Sequence, residues 1–135
     1  MAVHRSLVIF AIVAFMAPVI TLAMDYVMGD DKGWSLNVNY EDWAEDKQFY
    51  VGDNLLFKYN NASHNVYKLN GDDFNSCTVP SNNSLGLFSE NDRIKFEVAG
   101  KKWYICGVTG HCNQGMKLKI IVLDSTAPAA PPSAT

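Results

Sequence analysis

Apolar residues through the middle of the chain recur at every second position. Asn54-Leu-Leu-Phe-Lys-Tyr59 puts Leu55, Phe57 and Tyr59 on one face, and Arg93-Ile-Lys-Phe-Glu-Val98 does the same with Ile94, Phe96 and Val98. Met116-Lys-Leu-Lys-Ile120 alternates too, ahead of the apolar Ile121-Val-Leu123. A period of two predicts strands with one face on a core. His64–Leu69 and Lys102–Cys106 predict two more. Short runs divided by Gly, Asn and Asp turns predict an all-β antiparallel sandwich or barrel. Two segments break the period. Tyr40–Asp46 predicts a short helix capped by Asn39, and Asp72–Ser76 a helical turn. There is no internal repeat.

Both ends fall outside this pattern. Arg5 precedes an apolar run from Leu7 to Leu22 that is short for a membrane span of about 20 apolar residues. Thr21-Leu22-Ala23 offers a small-residue cleavage site, so residues 1–23 are expected to be a removed export signal, with Met24 as the new first residue. An uncleaved membrane anchor is the alternative. Residues 24–124 form one domain with one core. Residues 125–135 hold only Ser, Thr, Ala and Pro, which cannot build a core and predict an extended, solvated tail. The net charge of −3 becomes −4 once Arg5 leaves, which gives no electrostatic footprint for nucleic acid. Asn61-Ala-Ser63 and Asn82-Asn-Ser84 are N-glycosylation sequons, with Asn61 and Asn82 the acceptors.

Candidate chemistry concentrates in Cys106-Gly-Val-Thr-Gly-His111-Cys-Asn-Gln-Gly-Met116. A thiol, an imidazole and a thioether stand at equal intervals, and three spacer glycines let the segment fold around a point. Zinc sites rarely use Met, whereas His₂Cys with a weak axial Met is a blue-copper ligand set. Only His64 and His111 remain after the signal leaves, so His64, at the start of a predicted strand, supplies the second imidazole. Of the three cysteines, Cys112 directly follows His111, and adjacent side chains of an extended segment face opposite ways. If His111 turns to a metal, Cys112 turns away and Cys77 is its natural partner, leaving Cys106 as the free thiolate. A 106–112 disulfide without metal is the alternative. Met116 is either a weak axial ligand or a core side chain. Asn65 stands beside His64, where its side chain can rigidify the site by hydrogen bonding.

The chain resembles the phytocyanins, plant blue-copper proteins of the cupredoxin fold. The resemblance is carried by Gly29-Asp-Asp-Lys-Gly-Trp34, Asn39-Tyr-Glu-Asp-Trp-Ala44, Phe49-Tyr-Val-Gly-Asp53, His64-Asn-Val66, Cys77 and the run from Trp103 to Lys117. It implies a Greek-key β-sandwich with one or two short helices. It implies one type 1 copper ion on His64, Cys106, His111 and Met116, and a Cys77–Cys112 disulfide. An axial Met is similar to the uclacyanin and plantacyanin types, and the tail suits the former. Thr109 and Trp103 depart from the common Pro and Tyr. Many tailed members continue into a lipid-anchor signal, and no such apolar segment follows here.

The expected function is one-electron transfer in the extracellular or cell-wall space (apoplast) by a monomer that is not an enzyme and has an unidentified redox partner. The outer face of the plasma membrane is the location if an anchor exists. An exposed histidine edge, that of His111 by preference, would pass the electron. The alternatives are a cell-wall or interface module whose redox activity is secondary, and a copper carrier or small copper oxidase.

Overall fold

Two sheets face each other across an aromatic core. The computed structural model describes residues 22–124, together with Ile9, Ala11, Ile12 and Ala14. The rest of the expected signal, and the tail 125–135, lie outside the described residues. Eight strands are present among the described residues: β1 Asp25–Val27, β2 Phe49–Tyr50, β3 Asn54–Lys58, β4 Val66–Leu69, β5 Gly86–Leu87, β6 Asn91–Lys95, β7 Gly100–Ile105 and β8 Lys117–Leu123. One sheet has the order β1-β3-β6 and the other β2-β8-β7-β4-β5. Most pairings are antiparallel, as expected, but β1 pairs parallel with β3 and β2 parallel with β8. These two short edge strands carry no extended alternation, so the sequence pattern does not announce them. Between them the chain crosses from one sheet to the other.

The two predicted helices form. In α1, Tyr40–Glu45, the Asn39 side chain accepts the N–H of Asp42. The helical turn extends to α2, Gly71–Ser76, where Asn70 accepts the N–H of Asp73. Each cap satisfies a donor that the first helical turn leaves orphaned. α1 buries Tyr40 and Trp43 and packs on β8.

Alternation puts Leu55 and Phe57 of β3, and Leu118, Ile120 and Val122 of β8, into the core. Trp34 meets Phe57 edge-on at 5.1 Å, and Phe57 meets Tyr104 at 5.6 Å. Such pairs add about 0.5–1.5 kcal/mol each beyond their buried area. Val98 was expected inside but is 67% exposed. β6 starts at Asn91 and stops at Lys95, so only Ile94 and Phe96 of that set face inward. β4 and β7 bury both faces, which is why Val66 and Tyr67, and Tyr104 and Ile105, are buried in succession. Their outer residues Tyr67, Leu69 and Ile105 form a second small core with Cys112, covered by Phe74 and Cys77.

Candidate metal centre

Strand pairing brings three chain segments to one end of the larger sheet. Tyr67 pairs with Ile105 between β4 and β7, and Ile105 with Lys117 between β7 and β8. The loop entering β4, the chain leaving β7 and the chain entering β8 therefore meet at one rim. Those segments carry His64, Cys106 and Met116. His64 precedes β4 by two residues instead of opening it.

Main-chain bonds close the loop between Cys106 and Met116. The His111 N–H donates to the Val108 carbonyl, the Met116 N–H to the His111 carbonyl, and the Cys106 N–H to the Met116 carbonyl, each at 3.0 Å. Gly115 sits at φ 96°, a left-handed conformation that glycine adopts without steric cost, and it ends a 3-10 turn over Cys112–Gln114. Gly107 answers a different need. A Cβ there would lie 2.6 Å from the Tyr67 ring and 3.1 Å from Asn65 Oδ1.

Three donor atoms converge within this frame. His64 Nδ1 lies 3.2 Å from His111 Nδ1, and Cys106 Sγ lies 3.9 Å from the first and 3.5 Å from the second. Metal–nitrogen bonds of about 2.0–2.1 Å and metal–sulfur bonds of about 2.3 Å, at trigonal to tetrahedral angles, put two nitrogens about 3.3–3.6 Å apart and nitrogen and sulfur about 3.6–3.8 Å apart. The trio fits one ion. Among the described residues it is the cluster of His, Cys and acidic side chains with that property. Cys106 is fully buried, and both histidines are partly exposed. Exposure therefore does not single out His111 over His64 as the open edge.

Burial acts in opposite senses on the Cys106 sulfur and the His64 ring. Burial pushes the Cys106 thiol up, opposed by the main-chain N–H groups of Asn65 and Val108. Burial, and then the neighbouring His111, push His64 below the ordinary imidazole value, which favours the neutral, ligating ring. Asn65 bridges the loops. Its Oδ1 accepts the Gly107 N–H at 2.6 Å, and its carbonyl accepts the Trp34 indole N–H at 2.9 Å. The link through Trp34 and the contribution of Val108 were not apparent from residue type, because main-chain acceptors and donors leave no trace in a sequence.

Met116 is 1% exposed and packs in the same core cluster as Cys106. Cys77 and Cys112 are disulfide-bonded with 35 residues of separation, and Cys106 is the free thiol. The 106–112 alternative is thereby removed. Asn61 and Asn82 are both exposed. The Asn61 side chain donates to the Phe88 carbonyl, and Asn82 accepts from the N–H and hydroxyl of Ser84.

A family model described as a plastocyanin-like domain matches residues 34–116, more than half of the chain. The chain belongs to this family, in its phytocyanin branch. Blue copper protein 1a of Medicago truncatula is 46% identical to the phytocyanin over 133 residues, covering 98% of this chain and 82% of its own length. Basic blue protein of Cucumis sativus is 39% identical over 98 residues, covering 73% of this chain and 98% of its own length. Among solved structures, cucumber basic protein superposes with a TM-score of 0.66 at 38% identity, covering 73% of this chain and 99% of that one. Cucumber stellacyanin gives a TM-score of 0.72 at 28% identity, covering 78% and 99%. The cupredoxin-like sandwich implied by the family resemblance is thus the observed fold.

Proposed function

We propose that this phytocyanin carries single electrons through one type 1 copper ion, held by His64 Nδ1, Cys106 Sγ and His111 Nδ1 with Met116 as a weak fourth ligand. The observation that carries the reading is the convergence of the three donor atoms at metal-binding separations. Copper bound to a His₂Cys set supplies a one-electron couple between Cu(I) and Cu(II). The chain's own residues do the rest. The Asn65 bridge and the main-chain bonds around Met116 hold the donors at fixed separations, so little rearrangement accompanies a change of charge. The burial of Cys106 keeps solvent and oxidants from the thiolate. The partly exposed imidazole edges of His64 and His111 offer the contact to a redox partner. All three donors come from one chain, so a monomer is sufficient. A carrier that releases metal readily, or an oxidase with an open position, fits a buried sulfur and a closely bonded loop less well.

Export belongs to the same reading, with residues 1–23 removed, a 24–124 domain, a solvated 125–135 tail and glycans on Asn61 and Asn82. It is supported by the Cys77–Cys112 disulfide, a bond of oxidising compartments, and by the exposure of both acceptor asparagines. Among the described residues no helix is long and apolar enough to cross a membrane.

Copper(II) titration with visible absorption tests the metal reading. One equivalent should produce an intense thiolate-to-copper band that Cys106→Ser abolishes. A colourless protein holding one zinc per chain would rule the reading out.

A further inference from the structure

At the edge of the smaller sheet, just before β1, the first main-chain atoms tied into the fold among the described residues belong to Met24. Its N–H donates to Asp53 Oδ1 at 2.9 Å, and its carbonyl accepts the Asn54 N–H at 2.8 Å. Leu22 is 77% exposed and Ala23 is exposed. Asp53 is only 4% exposed, and its other oxygen accepts the Tyr50 N–H at 2.9 Å. The other buried carboxylate among the described residues, Asp92, is met by the hydroxyls of Tyr59 and Ser89. Asp53 is met by two neutral main-chain N–H groups. A buried carboxylate is costly without a matching charge.

We infer that the chain is cut between Ala23 and Met24, and that Asp53 is the receptor for the α-ammonium group the cut creates. The inference rests on the reading of residues 1–23 as a removed leader, and adds a site that the leader's own sequence does not contain. In the hydrolysis the Ala23–Met24 peptide bond breaks and one water is consumed. Ala23 leaves as a carboxylate and Met24 keeps the nitrogen as an ammonium group, with no change of oxidation state. The nitrogen then carries a positive charge at the place where it already meets Asp53. A neutral hydrogen bond becomes a charge-assisted one, roughly twice as strong. Processing at any earlier bond leaves a neutral amide at that position, and processing at a later one removes the nitrogen. The completed contact ties the start of β1 to the turn between β2 and β3, so removal of the leader strengthens the fold it releases.

The charged and titratable groups around the contact are few. On β1, Asp25 is engaged by Arg93 of β6 and by Asn54 of β3. Burial, followed by the charge of Asp53 and by Tyr50, pushes the Tyr26 phenol upward. An α-amino group ordinarily titrates near 7.7–8.0. An ion pair raises the folded value and leaves the unfolded one. The stabilisation is therefore fully present below about pH 7.7 and disappears as pH rises through the raised value.

The full chain secreted from a eukaryotic host supplies the test. N-terminal sequencing should read Met24. A second protein carries one Ala inserted between Ala23 and Met24, which moves the ammonium group one residue away and leaves Asp53 intact. Urea unfolding at pH 7 and pH 9.5 should show a loss of folding constant in the native protein that exceeds the loss in the extended one by about tenfold, for a one-unit rise of the amino group. Asp53→Asn should remove the same excess loss. A first residue other than Met24 overturns the cleavage site. A Met24 start with equal pH dependence in native and extended proteins overturns the role of Asp53. The visible copper band, measured on the same samples, reports separately on the metal reading.

Discussion

Single atoms decide whether the metal trio holds its shape. The Asn65 side chain is the acceptor for the Gly107 N–H, and the two residues lie beside His64 and Cys106 respectively. Asn65→Ala leaves a part-buried donor without a partner, at a cost of about 1–3 kcal/mol. It should lower the unfolding free energy measured by chemical denaturation by that amount and shift the copper absorption band, because one main-chain donor toward the Cys106 sulfur comes from the same residue. Gly107→Ala acts through sterics alone. Its Cβ would stand 2.6 Å from the ring of Tyr67, which is itself buried and edge-on to Phe88. Overpacking of this kind costs about 1–3 kcal/mol, read as a lowered thermal midpoint. Met116→Gln places a harder oxygen donor at the proposed axial position and should lower the reduction potential, measured by voltammetry. An unchanged potential would argue that Met116 is a core residue only. At this scale the sequence was informative where identity carries the chemistry. His64, Cys106 and His111 could be named from ligand type and spacing. The Asn65–Trp34 and Asn65–Gly107 bonds could be located only once the loops were folded against one another.

Elements stabilise the site by fixing the segments that carry it. The Cys77–Cys112 bond joins the end of α2 to the turn directly after His111. With a sequence separation of 35, it removes denatured-state entropy worth about 3–4 kcal/mol. A Cys77→Ser, Cys112→Ser double variant should lose that much stability in urea titrations while retaining Cys106 and the blue band. Loss of the band in a folded variant would mean that the bond positions His111 directly. At the other sheet, Arg93 of β6 makes two bonds to the Asp25 carboxylate of β1, at 2.9 and 3.2 Å. That hydrogen bonding holds the Asp25 carboxyl below its ordinary value. A lowered folded value stabilises the fold above the unfolded pKa and is lost as pH falls through the folded one. Amide protection factors in β1 should therefore fall on acidification below about pH 3.9, and Arg93→Ala should remove that acid dependence. β3 and β8 could be read from alternation because each has one face on the core. β1, β2 and β5 have two or three residues each and no period to detect. Val98 shows the converse failure. Its place in an alternating run suggests an inward side chain, but the strand ends before it and the residue lies in the turn that follows.

Over the whole molecule, an aromatic core between two sheets forms a frame with the donor trio at one rim and the start of the folded chain elsewhere. A sandwich built largely from non-local pairings brings His64 within reach of Cys106, although 41 residues lie between them. This convergence is a property of the β4–β7–β8 order and could be expected from the family resemblance more readily than from periodicity. Electron transfer needs fixed donors, a buried sulfur and an imidazole edge at the surface, and all three are present. The most direct test of that claim is coulometric titration of the copper-loaded protein under continuous visible absorption. One electron per chain should remove the band, reoxidation should restore it fully, and the cycle should repeat without loss of copper. Copper that cannot be cycled, or that leaves the protein on reduction, would contradict it.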